Sequence, residues 1–195
     1  MNENERSLFR WVERGAGAPV VLLHGLMGTM FQWEPALDML AASARAVAPA
    51  LPLFDPSASE ISVPALAAWV VRLLDVLDVP DAVIGGNSLG GHVALEIALS
   101  YPHRVSGLVL TGSSGLFERS FTRGVPHRPT KAYVREKMEE VFYDPGLVTP
   151  EWVDEIHGFI VEPAAALRLI RLARAAKHHN LEARLPGVTV PTLIL

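Results

Sequence analysis

The sequence has no cysteine among its 195 residues, which excludes disulfides, thiolate metal sites and a cysteine nucleophile. It lacks any apolar run near the ~20 residues that a membrane-crossing helix needs; its hydrophobic stretches are short and end at glycine, proline or charge. The opening Met1-Asn2-Glu3-Asn4-Glu5 is polar and acidic, without the positive-then-apolar order of a secretory leader. Neither sign of charge dominates: the formal net charge is -4, and no basic face is dense enough to hold nucleic acid. A soluble, cytoplasmic protein is therefore expected, with no membrane span and no nucleic-acid partner. What is present is apolar mass, with 50% of residues hydrophobic. A chain of this size buries a substantial core as one domain, with room for an inserted subdomain.

Ser7 to Glu13 reads as a strand, and Gly15 to Pro19 as a turn. Val20-Val21-Leu22-Leu23 is a short unbroken apolar run, the pattern of a strand buried on both faces of a parallel sheet. Pro35 suits a first helical turn and opens a short helix to about Ala42; Ala46 to Ala48 is the next strand. Ser62 serves as an N-cap with Pro64 just inside the helix. That helix carries Leu66, Val70, Leu73, Leu74 and Leu77 on one stripe. Ala82 to Gly85 is another buried strand. Leu89 to Ser100 is apolar on nearly every side, which predicts a buried helix stopping at Tyr101-Pro102. Val105 to Leu110 is a strand again.

Alternating strands and helices over the first 112 residues predict a parallel sheet with helices on both faces. Then the rhythm breaks. From Ser113 to Arg184 no strand is evident and three helices are expected. One is capped by Thr130 and runs to about Phe142, one opens at Thr149-Pro150, and one spans Ala164 to about His179. Val188 to Leu195 returns to the sheet. The expected organisation is a core over 1–114, a helical cap inserted over 115–186, and a return to the core over 187–195. There is no internal repeat and no low-complexity tract.

The strongest chemical signal is Gly86-Asn87-Ser88-Leu89-Gly90-Gly91, directly after a strand and directly before a helix. A turn this sharp brings the two backbones so close that side chains at Gly86 and Gly90 would collide. It lifts the Ser88 hydroxyl above the sheet edge, at the positive end of a helix. The second signal is Leu23-His24-Gly25-Leu26-Met27-Gly28, at the end of an earlier buried strand. An oxyanion needs two N–H donors aimed at one point, and the N–H groups of Leu26 and Leu89 are assigned to it. His24 reads as a structural residue that fixes its loop by hydrogen bonds, because the motif uses backbone rather than imidazole.

These motifs resemble the α/β-hydrolase superfamily, in its cap-bearing branch. The matching residues are His24-Gly25, Ala48-Pro49 with Leu51-Pro52, the elbow Gly86 to Gly91, Pro102-His103-Arg104-Val105 and Val190 to Leu195. The elbow is similar to that of meta-cleavage-product (C–C bond) hydrolases and of many esterases. The resemblance implies an α/β-hydrolase fold with an inserted helical cap. It also implies a serine hydrolase that cleaves an ester or related acyl bond of a small, mostly apolar substrate through an acyl-enzyme on Ser88. No cofactor and no metal is implied. The alternatives are a C–C hydrolase of a vinylogous diketone acid, and a non-catalytic binding protein or inactive fragment on the same scaffold. A serine in the elbow argues against mechanisms that need a carboxylate nucleophile. Where relatives have Asp then Leu-Pro-Gly, this chain has Ala50-Leu51-Pro52-Leu53.

In this fold the nucleophile is followed by an acid and then a histidine. Neither is recognisable after Ser88, so both are expected beyond Leu195, in last strand–helix units of about 60 further residues. The final strand is then expected at an exposed edge, open to association. Among the remaining histidines, His92 starts below the turn and His103 sits at the wrong end of the sheet. His127, His157, His178 and His179 lie on the cap, where one could act as the base. Arg168, Arg171, Arg174 and Lys177 repeat every three residues, either as a solvated helix face or, through Arg174, as an anchor for a substrate carboxylate. Asp154 and His157 are spaced as a metal pair but have no third ligand. Leu26, Met27, Met30, Phe31 and Trp33 are either core or the wall of an acyl pocket.

Overall fold

A computed structural model describes residues 8–55, 61–116, 129–140 and 142–195 of the chain. Six strands form one sheet: β1 (Trp11–Arg14), β2 (Ala18–Leu23), β3 (Ala44–Pro49), β4 (Ala82–Asn87), β5 (Val105–Thr111) and β6 (Thr192–Ile194). Their spatial order is β1-β3-β2-β4-β5-β6. Only β1 runs antiparallel to its neighbour. The helices are α1 (Glu34–Leu40), α2 (Val63–Val76), α3 (Leu89–Ser100), α4 (Lys131–Glu139), α5 (Pro150–Ile160) and α6 (Pro163–His178).

Successive side chains of a strand point to opposite faces, and the core divides accordingly. Leu22, Ala46 and Ala48 pack with Leu37 of α1 on one face. Val21, Leu23 and Val47 pack with α2 and α3 on the other. The α2 stripe from Leu66 to Leu77 is buried as its spacing predicts, and Ser62 Oγ accepts the Ala65 N–H at 3.2 Å to close the helix start. Leu89 to Ala98 of α3 are all buried, in keeping with a helix apolar all round. Thr130 and Thr149 cap α4 and α5 in the same way, accepting from the Tyr133 and Trp152 N–H groups.

Strand ends differ from the sequence expectation: β2 takes in Ala18 and Pro19 of the expected turn, β3 runs Ala44–Pro49, β4 reaches Asn87 and β5 Thr111, and the largest differences are in β1 and β6. β1 covers only Trp11–Arg14, and Ser7 lies outside the described residues. The return to the sheet is shorter than Val188 to Leu195. A 3₁₀ turn over Glu182–Gly187 holds Pro186. Pro191 has no N–H to donate, although its carbonyl accepts the Leu108 N–H at 2.9 Å, so the ladder begins at Thr192. β6 is the edge of the sheet, and all three of its residues are exposed.

Between β5 and β6 the described residues hold α4, α5 and α6 and no strand. Val134 and Met138 of α4 close a small separate core with Val153, Ile156 and Ile160 of α5. α6 faces two ways. Leu169 packs against that small core, while Leu172 and Ala176 belong to the main one. Among the described residues no helix is long and apolar enough to cross a membrane.

Candidate active site

Leu23 of β2 lies beside Gly86 of β4, so the loops leaving these two strands emerge side by side. One begins His24-Gly25 and the other Asn87-Ser88. A Cβ built on Gly25 would stand 3.4 Å from Ser88 Cβ, which puts the two motifs in contact.

Close backbone approach explains the glycines. A Cβ on Gly86 would lie 2.2 Å from the Gly90 carbonyl carbon, and one on Gly90 would lie 2.1 Å from the Leu23 carbonyl oxygen. Only hydrogen fits at either position. Ser88 itself has φ 51 and ψ -116, left-handed backbone that a side chain rarely adopts. The surroundings hold it there: its N–H donates to Thr111 O at 3.2 Å, and its carbonyl accepts from His92 N–H and Ser114 N–H, each at 3.1 Å. Asn87 Nδ2 donates to Thr111 O at 3.1 Å, tying the turn to β5. Ser88 is half-buried at the start of α3. Leu89 N–H, at the first helical position, has no carbonyl one turn earlier within the helix to bond. Among the described residues no side chain hydrogen-bonds to Ser88 Oγ.

His24 is buried and acts within its loop. Its Nδ1–H donates to Gly25 O at 2.9 Å, and its Nε2 accepts the Leu51 N–H at 3.0 Å. Burial lowers its pKa from 6.5 to about 4, with the Gly25 bond acting weakly in the opposite direction. Both nitrogens are committed, so the ring joins the loop after β2 to the loop after β3.

None of the other described histidines is hydrogen-bonded to Ser88 Oγ. His103 lies in the 3₁₀ turn before β5, at the opposite end of a parallel strand. His157 bonds Pro129 O at 3.1 Å, His178 bonds Arg174 O at 2.7 Å, and His127 is outside the described residues. His92 and His179 face each other, Nε2 to Nδ1, at 3.1 Å. That pairing joins positions 87 residues apart and has no local sequence signal. Asp154 pairs with Lys131 at 2.7 Å rather than with His157, and among the described residues no cluster fit for a metal is found.

Beside the loop after β2 opens a shallow, half-open cleft. Phe31 lines it, as do Phe54 and Phe159, whose rings stack at 4.8 Å and 7° between the loop after β3 and α5. Arg10 and Glu155 also line it. Of the pocket residues expected from sequence, Met30 and Phe31 line this cleft. Met27 packs against the small helical core. Trp33 turns toward Leu22 and Leu37 beneath the sheet, because the 3₁₀ turn Met30–Trp33 feeds directly into α1. Arg174 is exposed, since Leu172 and Ala176 claim the buried side of α6. Sequence reading missed Arg10, Phe54 and Glu155, which carry no motif and meet only through the fold.

A family model described as alpha/beta hydrolase fold matches residues 18–146. A dihydrolipoyllysine-residue acetyltransferase component of the acetoin cleaving system of Pseudomonas putida is 34% identical over 178 residues, covering 86% of this chain and 48% of that protein. A 2-hydroxy-6-oxo-2,4-heptadienoate hydrolase of Pseudomonas putida is 33% identical over 149 residues, covering 70% and 53%. The crystal structure of an alpha/beta hydrolase enzyme from the metagenome of lagoon sediments at Mar Chica, Morocco, superposes with a TM-score of 0.72 at 29% identity, covering 95% of this chain and 70% of that one. The chain spans about half the length of the curated relatives it matches.

Proposed function

Because the chain belongs to the alpha/beta hydrolase fold family, we propose that Ser88 is the nucleophile of a hydrolase cleaving an ester or related acyl bond of a small, mostly apolar substrate. The carrying observation is the Ser88 turn. Its backbone is bonded on both sides at φ 51, while its hydroxyl is uncommitted at the start of α3. Strain held in place by surrounding bonds is characteristic of functional positions.

In this reading Ser88 Oγ adds to the acyl carbon, and its proton passes to a general base and then to the departing alkoxide. Water then releases the acid from the acyl-enzyme and regenerates the hydroxyl. The N–H groups of Leu26 and Leu89 receive the negative charge on the carbonyl oxygen, a contribution of about 3 kcal/mol per donor in comparable sites. His24 stays neutral and positions the Leu26 loop. The apolar body of the substrate enters the cleft at Phe31, Phe54 and Phe159, with the segment between β5 and β6 as the cap above it.

The test is a fluorophosphonate probe followed by peptide mapping. With the acid and histidine of the triad present, a single adduct on Ser88, absent from Ser88→Ala, is expected; an adduct elsewhere, or none, then sinks the hydrolase reading in favour of a binding protein. A chain without a recognisable base is expected to label slowly. Arg10 on the cleft wall favours a second reading, hydrolysis of a C–C bond in a diketone acid whose carboxylate it would meet. Turnover of such an acid without turnover of acyl esters would select it.

A further inference from the structure

Around His92 lies a buried polar group that the acyl chemistry does not use. The chain leaves the core after β5 through Gly112 to Leu116 and re-enters it through His179 to Leu181. These two crossings are stitched together: Leu181 N–H donates to Gly115 O at 2.8 Å, and Asn180 Nδ2 donates to Leu116 O at 2.5 Å. The outgoing crossing also touches the nucleophile turn, because Ser114 N–H donates to Ser88 O. Directly beneath, the His92 ring packs so closely on Gly115 that a Cβ there would lie 2.7 Å from His92 Cδ2.

His92 is fully buried, one helical turn after Ser88, and its Nε2 meets His179 Nδ1 at 3.1 Å. On the far side of His179, Nε2 stands 3.5 Å from Glu96 Oε2. Glu96 is 5% exposed at its side chain. It also accepts from Arg184 at 2.7 Å and from Ser100 Oγ at 2.5 Å. The charged groups facing the pair are therefore Glu96 from α3 and Arg184 from the turn after α6. At 3.5 Å from His179 Nε2 the Glu96 carboxylate is beyond a normal hydrogen bond, but its charge favours a proton on that nitrogen. His179 Nδ1 is then an acceptor for the Nε2–H of His92. His92 Nδ1, buried with no partner among the described residues, is then a bare lone pair rather than an orphaned N–H, the less costly of the two.

We propose that the His92–His179 hydrogen bond, oriented by the charge of Glu96, forms a directed polar relay that positions the Ser88 turn against the neck of the helical segment. Its catalytic meaning rests on the Ser88 reading, whereas its geometry does not. The three are positioning residues. They fix Gly115 and, through Ser114 N–H, the carbonyl of Ser88, so a displacement of α6 is felt at the nucleophile.

Two readouts test this on the full chain. Imidazole ¹⁵N spectra at pH 8 are expected to show both rings protonated at Nε2; an Nδ1–H form of either ring overturns the relay. Amide hydrogen exchange is then compared for His179→Ala, His179→Gln and the surface control Arg171→Gln. His179→Ala is expected to speed exchange at Ser114 and Leu181 by about tenfold or more over the rest of the sheet. Glutamine, whose carbonyl can accept from His92, is expected to restore protection, and the control to change nothing. Unchanged exchange at Ser114, or an equal rise at every amide, overturns the proposal. Fluorophosphonate labelling is measured alongside. Ser88 labelling bears on the Ser88 reading alone; the relay stands or falls on its spectra and exchange.

Discussion

Acidification should unfold this protein through His24, by an amount that its surroundings set. The ring accepts from Leu51 N–H at Nε2, so a proton added there would place two donors face to face. Its pKa falls from 6.5 to about 4 on folding. The unfolded chain therefore takes up a proton as pH drops below 6.5, while the folded chain does so only near 4. Where the unfolded state binds more protons, stability rises with pH. The His24 contribution is thus complete above pH 6.5 and is lost progressively down to about 4. At 1.36 kcal/mol per pH unit, a shift of this size amounts to about 3 kcal/mol. The assay is urea unfolding of the parent and of His24→Gln at pH 7, 6, 5 and 4.5. Glutamine cannot titrate, so the variant should be less stable at pH 7 and its curve should approach the parent's as pH falls. His92, also lowered to about 4 by burial and by the neighbouring His179, contributes with the same sign in both proteins and cancels in the comparison. Parallel curves across the range would refute the assignment.

Ser88→Gly should relieve left-handed strain at φ 51 and raise the unfolding free energy by about 1 kcal/mol while abolishing phosphonate labelling; a loss of stability would contradict this. Gly90→Ala should cost more than about 4 kcal/mol, because its methyl would meet Leu23 backbone at 2.1 Å; circular dichroism melting would show it. Arg104 donates to Pro80 O at 2.7 Å and Val79 O at 3.0 Å and pairs with Asp75. Arg104→Met should therefore cost about 1–3 kcal/mol, whereas loss of the exposed Lys131–Asp154 pair should cost under about 1 kcal/mol.

Local signals carried most of the fold. The spacing from Leu66 to Leu77 marks α2, the caps Ser62, Thr130 and Thr149 mark helix starts, and the run Val20 to Leu23 marks a strand covered on both faces. The elbow was equally legible, since Gly86 and Gly90 are required by contacts within or next to the turn. What could not be read depends on direction in space. Trp33 and Arg174 sit on short or amphipathic segments whose rotation is decided by neighbours, Leu37 in one case and Leu172 in the other. Arg10, Phe54 and Glu155 meet from three separate segments. His92 and His179 find each other only because the chain returns from α6 to pass over α3.

The double allegiance of α6 bears on how such a protein can be recombined. A crossover that replaced all of residues 115–186 would remove Leu172, Ala176 and Leu181, all buried in the main core, and would leave a hole beside α2 and α3. A crossover ending just before Pro163 exchanges α4 and α5 with their own small core and keeps those three residues in place. The severable unit is therefore smaller than the segment that interrupts the sheet, and α6 travels with the scaffold rather than with the module it follows.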